Sequence, residues 1–207
     1  MLISFEGCEG SGKTTLANYL FNKILSKYSV ILTKEPGGNE KELKDFNVLL
    51  KQILLQFNNH IEYQTEALLY AADRIEHLKK VIIPALKEKK IIICDRYIDS
   101  SFAYQGYARG LGETFIKEIN KFALSYYPDI TFYLDLDPEI GLKRLKDKRK
   151  EKIEYFDLHN IYFHQKVREG YLKICQNYPE RICIINANQP LNIIKKNIDS
   201  KIRKFLK

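Results

Sequence analysis

The stretch FEGCEGSGKTTL, residues 5–16, packs three glycines, a lysine and two threonines around a central glutamate. Glycine at this density weakens both helices and strands, so the stretch is expected to be a loop with an unusual backbone path. The spacing of Gly7, Gly12, Lys13 and Thr14 fits G-x-x-x-x-G-K-[ST], the pattern of a phosphate-binding loop. The sequence therefore predicts a site for the phosphates of a nucleotide.

The segments on either side of this loop have the secondary structure that the pattern requires. The apolar run at residues 2–5 predicts a strand, and residues 15–21 continue with apolar side chains at helical spacing. Successive loop N–H groups can point at a phosphate, and the helix N-terminus adds its positive dipole end. We expect Lys13 to reach the β- and γ-phosphates of ATP, and the Thr14 hydroxyl to bind Mg²⁺. The predicted ATP-binding residues of the loop are Gly7, Cys8, Glu9, Gly10, Ser11, Gly12, Lys13 and Thr14.

The composition is that of one globular domain spanning residues 1–207, with 45% hydrophobic residues and a net charge of +8. We interpret the basic excess largely as a lysine-rich surface, and its longest block is KDKRKEK at 146–152. No apolar run approaches membrane-spanning length, and the first residues lack the basic segment of a signal peptide. The four cysteines show no metal or redox spacing, so we expect them to be reduced, three of them buried, in a cytoplasmic protein.

Strand and helix patterns alternate along the rest of the chain. Apolar, β-branched runs at 29–33, 90–95, 129–137 and 181–187 predict four strands in addition to the first. Helical patterns are predicted at 13–27, 39–57, 62–89, 99–126 with a break near 110–112, 138–148, 157–177 and 190–206. Such alternation predicts an α/β fold in which a five-stranded parallel sheet is covered by helices on both faces.

Polar segments follow the predicted strands at the point where each strand ends. They are TKEPGGNE (33–40), DRYIDSSFAYQG (95–106), DLDP (135–138) and NANQP (186–190). Right-handed crossovers place the carboxyl ends of parallel strands on one edge, and ligands of such sheets bind there. We therefore expect these segments and the phosphate-binding loop to form one site.

Five segments together resemble the thymidylate kinase family, from residue 2 to about residue 190. They are FEGCEGSGKTT, TKEPGG, YAADR, DRYIDSSFAYQG and FHQKVREGYL. The resemblance implies a P-loop nucleoside monophosphate kinase fold, usually dimeric. It also implies direct in-line transfer of the γ-phosphoryl group of ATP to dTMP, with Mg²⁺, in dTTP synthesis for DNA replication. A homodimer is expected, with no nucleic-acid or membrane partner.

The resemblance assigns the acceptor site to eight residues. Arg96 bridges the acceptor phosphate and the migrating phosphoryl group, and Asp95 holds Arg96 or a Mg²⁺-bound water. Tyr70 and Arg74 lie four apart on one helix face, where Tyr70 stacks on the pyrimidine and Arg74 donates to its O4. Without the family, the favoured interpretation of Tyr70 is a core aromatic, because aromatic residues at helical spacing usually pack in the core. The implied dTMP-binding set is Glu9, Lys34, Tyr70, Arg74, Arg96, Ser101, Tyr104 and Gln105, with Glu9 accepting from the 3′-hydroxyl and the Tyr104 ring against C2′.

The basic stretch at 141–157 is expected to be a lid that closes over ATP. One subgroup of the family carries a catalytic arginine in the phosphate-binding loop, where this sequence has Gly10. The lid must then supply the cation, with Arg149 as first candidate and Arg144, also in the ATP site, as second. The sequence departs from the family at Lys152 and at Lys34, where arginine is usual, and a lysine offers a point charge instead of a planar fork.

Two alternatives stay open from the residues alone. The protein could be another nucleoside or nucleotide kinase, for example one that acts on deoxynucleosides or dCMP. Against this, a donor at Arg74 would face the amino group of cytosine. It could also be a phosphate-loop ATPase or switch that uses its basic surface on nucleic acid. The sequence has neither the aromatic and basic strand signature of an RNA-binding sheet nor a recognition-helix pattern.

Overall fold

Five parallel strands form the sheet of this structure, a computed structural model that describes residues 1–38, 46–56, 61–148 and 160–206. The spatial order of the strands is β2-β3-β1-β4-β5. Their bounds are β1 (Leu2–Glu6), β2 (Val30–Lys34), β3 (Ile91–Asp95), β4 (Ile130–Asp135) and β5 (Ile182–Asn186). All five predicted strands are thus confirmed, with ends shifted by one or two residues.

β1 is the central strand, and the reason lies in its side chains. It pairs with β3 on one side and β4 on the other, with Ile3 opposite both Ile93 and Ile130. All five of its residues are buried. A strand that is covered on both faces is largely apolar, and the two polar residues of β1, Ser4 and Glu6, are buried with hydrogen-bond partners.

Helices fill the connections between the strands. Those in the described ranges are α1 (Lys13–Ile24), α2 (Phe46–Gln56), α3 (Tyr63–His77), α4 (Ile83–Lys87), α5 (Ile98–Ser101), α6 (Glu113–Ile119), α7 (Pro138–Lys148), α8 (Ile161–Asn177) and α9 (Leu191–Ile202). The predicted helices have these counterparts, although the predicted starts at 39 and 157 lie outside the described residues. A π-helical turn at Leu78–Ile82 joins α3 to α4, so the predicted helix at 62–89 is one helical path with a widened turn.

The segment predicted as a helix at 99–126 consists of several shorter elements. A π-helical segment, Phe102–Ala108, follows α5, and α6 begins after the predicted break. Gly110 and Gly112 have φ of 77° and 83° there, in the left-handed region that glycine enters without strain. A short 3₁₀ turn at Ala123–Tyr126 ends the connection to β4.

Apolar side chains form a separate core on each face of the sheet, as predicted for a sheet covered on both sides. On one face, Leu2, Ile92 and Tyr133 pack with side chains of α8 such as Val167 and Tyr171. On the other face the strand residues pack with α1 and α9, represented by Ile3, Phe5, Phe132, Leu16, Leu20, Ile194 and Ile198. Three free cysteines, Cys8, Cys94 and Cys175, are buried as expected, and Cys183 is half-buried.

The carboxyl ends of the strands meet at one edge of the sheet. The backbone N–H of Glu35, just after β2, donates to the carbonyl of Asp95 at the end of β3. The N–H of Arg96 donates to the carbonyl of Phe5 in β1, and that of Ala187 to the carbonyl of Asp135 in β4. The segments after the strands are therefore held side by side. Among the described residues, no helix has the length and apolar character needed to cross a membrane.

Candidate active site

The loop between β1 and α1 has the backbone path that its glycines predict. Gly7, Gly10 and Gly12 have φ of 146°, 72° and 94°, and Gly12 directly precedes α1. Lys13 lies across the loop, and its ammonium donates to the carbonyls of Gly7 at 3.0 Å and Cys8 at 2.9 Å. Burial and the neighbouring Arg96 charge lower the pKa of Lys13 to about 8. The loop therefore holds its lysine in place before any phosphate arrives.

Thr14 and Asp95 bring two side-chain oxygens together at the start of α1. The Thr14 hydroxyl donates to Asp95 Oδ2 at 2.5 Å, although the two residues are 81 positions apart in the sequence. The pairing follows from the sheet, because β3 lies beside β1 and ends at the start of the loop. A hydroxyl and a carboxylate oxygen are ligands that Mg²⁺ accepts.

A cavity of about 450 Å³ joins the loop to the segments that follow β2 and β3. The predicted site residues that line it are Glu9, Gly10, Gly12, Lys13, Thr14, Lys34, Tyr70, Arg74, Asp95, Arg96, Ser101, Tyr104, Gln105 and Arg144. Three other predicted residues, Gly7, Cys8 and Ser11, lie in the loop but are buried and do not line this cavity. Arg149 and Lys152 lie outside the described residues.

Glu9, Arg96 and Tyr104 form one cluster in the lining of the cavity. Arg96 Nη2 donates to Glu9 Oε1 at 2.9 Å, and the Tyr104 hydroxyl donates to the same oxygen at 2.6 Å. The Arg96 guanidinium lies 5.1 Å from the centre of the Tyr104 ring. Burial alone would raise the pKa of Glu9, but Arg96 and the nearby His164 outweigh it and hold that pKa well below its usual range. Glu9 is thus a charged acceptor facing a fixed arginine.

Glu6, which no motif in the sequence marks, holds the backbone and side chains around Arg96. It is fully buried and accepts hydrogen bonds from the N–H of Tyr97 at 2.7 Å, Ser100 Oγ at 2.6 Å and the Tyr171 hydroxyl at 2.8 Å. Arg96 has φ of 69°, a left-handed conformation that costs a non-glycine residue ~1–3 kcal/mol. The bond from Glu6 to the next N–H helps to hold this conformation.

The predicted base-binding residues Tyr70 and Arg74 lie on α3, as the sequence indicates. Arg74 is 2% exposed, with Nε donating to Glu35 Oε2 at 2.9 Å and Nη1 donating to Asn120 Oδ1 at 2.6 Å. Glu35 also accepts from His77 Nδ1 at 3.0 Å. The guanidinium is therefore held in one orientation by buried partners that the sequence analysis missed.

Two lysines from different elements line the cavity. Lys34 is the last residue of β2, one position beyond the predicted strand, and Lys51 comes from α2, which no motif in the sequence connects with the site. A lysine on an amphipathic helix is an ordinary surface residue by pattern, so only the packing of α2 against α3 brings Lys51 to the cavity. Their charges suit a second anionic group in the same cavity.

Arg144, on α7, reaches the edge of the cavity from the side of the predicted lid. Both of its Nη atoms donate to the carbonyl of Ala187 at 3.2 Å, in the segment that follows β5. The guanidinium is therefore part of the joint between α7 and the end of the sheet. The remainder of the predicted lid, residues 149–157, lies outside the described residues.

Comparison with known proteins identifies the family. The family model for thymidylate kinase matches residues 5–198, which include every segment of the site. The chain belongs to the thymidylate kinase family. It is therefore a kinase, and the family predicted from the sequence is confirmed, as is the P-loop α/β fold.

The relatives match over their full length. The chain is 56% identical to the thymidylate kinase of Onion yellows phytoplasma (strain OY-M), over 98% of this chain and 97% of that protein. It is 49% identical to the thymidylate kinase of Acholeplasma laidlawii (strain PG-8A), over 100% of both. The crystal structure of thymidylate kinase from Ehrlichia chaffeensis superposes with a TM-score of 0.78 at 33% identity, over 98% of both chains.

Proposed function

We propose that this kinase transfers the γ-phosphoryl group of ATP directly, in line, to the 5′-phosphate of dTMP, giving dTDP for dTTP synthesis. The observation that carries the proposal is the cavity itself. Its lining brings together the phosphate-binding loop, two lysines, Lys34 and Lys51, and Arg96. Two anionic substrates can meet there only if cations lie at their junction. In phosphoryl transfer the protein contributes mainly the alignment of the two substrates and the neutralisation of their charge.

The donor end suits ATP with Mg²⁺. Loop N–H groups and Lys13 would bind the β- and γ-phosphates, with Arg144 at the margin of the ATP site. Thr14 and Asp95 offer the two oxygens that would hold Mg²⁺, directly or through a water bound to the ion. Two protein ligands are enough for Mg²⁺, because phosphate oxygens and water would complete its coordination. When bound, the ion would neutralise charge on the phosphates.

The acceptor end suits a deoxyribonucleoside monophosphate. Lys34 and Lys51 would hold its phosphate, and Arg96 would reach both that phosphate and the migrating group. Glu9 would accept the 3′-hydroxyl, because its carboxylate is charged and already fixed beside the cavity. The ring of Tyr104 would lie against C2′ and leave no room for a hydroxyl there.

The pyrimidine would lie between α3 and the segment after β3. Tyr70 would stack on the base. Arg74 would donate to O4 from the part of its guanidinium that Glu35, Asn120 and the carbonyl of Tyr97 leave available. Ser101 and Gln105 line the same wall. Loss of the 5-methyl group should cost ~1–3 kcal/mol in an apolar pocket, so dUMP is expected to be a poor substrate.

We further propose that the chain is one domain, residues 1–207, with a lid at about 141–157, and that it acts as a cytoplasmic homodimer without nucleic-acid or membrane partners. Exposed apolar side chains on α2 and α3 support the dimer. Leu49 and Ile53 are 56% and 38% exposed, and Leu68 and Ile75 are 50% and 38% exposed. Each pair lies on one face of its helix, as expected for a surface that a second copy would cover.

The test is a coupled ATP-consumption assay with dTMP, dUMP, dCMP and AMP as acceptors, beside a reaction without acceptor. We expect dTMP to give the highest kcat/KM, and ATP consumption to depend on an acceptor. A higher kcat/KM for dCMP or AMP would contradict the proposed pocket. Consumption of ATP without any acceptor would favour an ATPase.

A further inference from the structure

Glu66 lies on the face of α3 that carries the base-binding residues. It precedes Tyr70 by one helical turn and Arg74 by two, so the three side chains form one row along the helix. Unlike the other two, Glu66 does not line the cavity and is fully buried. A buried carboxylate needs partners, and its partners identify what it does.

Glu66 has two hydrogen-bond donors, one at each carboxylate oxygen. Gln105 Nε2 donates to Oε1 at 2.7 Å, and Arg109 Nη2 donates to Oε2 at 3.0 Å. The ion pair with Arg109 is almost completely buried, with side-chain exposures of 6% for the arginine and 1% for the glutamate. Glu66 therefore acts as an acceptor at both oxygens.

This arrangement fixes which end of the Gln105 amide can meet a ligand. A primary amide has a donor end and an acceptor end, and rotation by half a turn exchanges them. Rotation of Gln105 would place its Oε1 against a Glu66 oxygen, so that two buried acceptors would face each other without a proton. Gln105 is 3% exposed and lines the cavity, so its acceptor end is the one left for a bound base.

The two classes of pyrimidine differ at the position that such an acceptor would read. Thymine and uracil carry a proton on N3 between two carbonyl groups, whereas N3 of cytosine is an acceptor beside an amino group. An acceptor from Gln105 and a donor from Arg74 are complementary to the first class at both positions. Both groups face the wrong partner in cytosine, and a site with mispaired polar groups rejects a ligand strongly.

We propose that Glu66 is a specificity-determining positioning residue, which selects thymine or uracil over cytosine by holding Gln105 with its oxygen toward N3–H of the base. The inference rests on the proposed function. Glu66 acts only through Gln105. One row of side chains on α3 thus controls two contacts with the base: Arg74 donates a hydrogen bond to O4, and Glu66 orients the amide that accepts from N3–H.

The experiment compares the parent with Glu66→Gln and with the exchange variant Glu66→Gln/Gln105→Glu, by kcat/KM for dTMP and for dCMP. In the single variant either amide can turn, so the preference for dTMP over dCMP should fall about tenfold or more. In the exchange variant the carboxylate now at position 105 accepts from the new amide and offers its second oxygen to N3–H, so the preference should return. A merely structural role for Glu66 would not give this recovery.

Arg109→Lys is the matched control, because it alters the other partner of Glu66 and keeps both a cation there and the bond to Gln105. Its dTMP preference should stay within about threefold of the parent. An unchanged preference in Glu66→Gln, or an exchange variant as unselective as the single variant, would overturn the inference while leaving dTMP phosphorylation by the parent intact. A parent that does not prefer dTMP would overturn the proposed function instead, and this inference with it.

A second measurement applies even if Glu66→Gln does not fold. Calorimetry on the parent compares the Kd for dTMP with that for its N3-methyl derivative, which has no proton for Gln105 to accept. We expect binding to weaken about tenfold or more. Equal affinity for the two ligands would overturn the inference.

Discussion

The backbone of Gly10 lies directly against the backbone of Gly141. A Cβ atom on Gly10 would be 2.2 Å from the carbonyl oxygen of Gly141, and a Cβ atom on Gly141 would be 2.3 Å from the carbonyl oxygen of Glu9. Gly10 also has φ of 72°. The phosphate-binding loop is therefore seated on α7 without an intervening side chain. This contact gives a physical reason why position 10 supplies no arginine in this chain.

The first prediction concerns this contact. Gly10→Ala should destabilise the protein by ~1–3 kcal/mol, because the backbones of the loop and of α7 must move apart to make room for the added Cβ. Thermal unfolding should show a Tm that is several degrees lower. Gly110→Ala is the matched control, since Gly110 has a similar φ of 77° but no atom within 4 Å of the added Cβ. If the two variants lose the same stability, strain in φ explains the effect and the contact with Gly141 does not.

The second prediction concerns Lys13. Lys13→Ala should abolish turnover and leave the Kd for dTMP largely unchanged, because the lysine serves the donor phosphates. Since the pKa of Lys13 is lowered to about 8, kcat/KM for ATP should fall as pH rises through that value in the parent. Steady-state kinetics from pH 7 to 10 and dTMP calorimetry measure both effects. A loss of dTMP affinity as large as the loss of rate would refute this division of roles.

The third prediction concerns the cation from the lid. Arg149→Ala should lower kcat far more than it raises KM for dTMP, since a cationic finger in phosphoryl transfer contributes about 10³–10⁵ in rate. Arg149→Lys should recover part of the rate, because an ammonium cannot span two phosphate oxygens.

Arg144→Ala and Lys152→Ala are the comparison variants for this prediction. Arg144 donates twice to Ala187, so its loss should lower stability as well as rate. Collapse of kcat in Arg144→Ala, with Arg149→Ala within a few-fold of the parent, would assign the cation to Arg144. Full activity of all three variants would show that the lid supplies no essential cation.

The fourth prediction concerns the pH dependence of stability at Glu6. Burial, with the nearby Asp99 charge, raises the pKa of Glu6 from 4.5 to about 7. Between these values the folded protein binds the proton and the unfolded chain does not, so the contribution of Glu6 to stability falls as pH rises through that window. Glu6→Gln carries no titrating proton and should lack this contribution.

The measurement is the difference in Tm between the parent and Glu6→Gln from pH 5 to pH 8. The parent should lose stability relative to the variant across this range, because groups other than Glu6 cancel in the difference. The variant should also have a lower kcat, since Gln has only one acceptor oxygen and cannot accept both the N–H of Tyr97 at one end and the two hydroxyls at the other, as Glu6 does beside Arg96. A constant difference in Tm would mean that Glu6 does not titrate in this window.

Local patterns in the sequence determined the sheet, the phosphate-binding loop and the family. Residues 2–5 read as a strand because three of the four are apolar, as expected for a strand covered on both faces, and Gly7, Gly10 and Gly12 mark a loop because only glycine enters such φ values freely. Parallel topology then required the segments after the strands to meet at one edge. Lys34, Tyr70 and Arg96 line one cavity for that reason.

Only the tertiary structure decided how the site side chains are held. Glu6 meets the N–H of Tyr97 across 91 residues, Glu35 meets Arg74 across 39, and Glu66 meets Gln105 across 39. No periodicity connects such pairs, because a hydrogen bond between distant residues depends on how the elements pack and not on either local segment. In the sequence, a glutamate that will be buried cannot be told apart from an exposed one on a helix or strand. Its role becomes clear only when the tertiary structure shows which hydrogen-bond donor lies beside it.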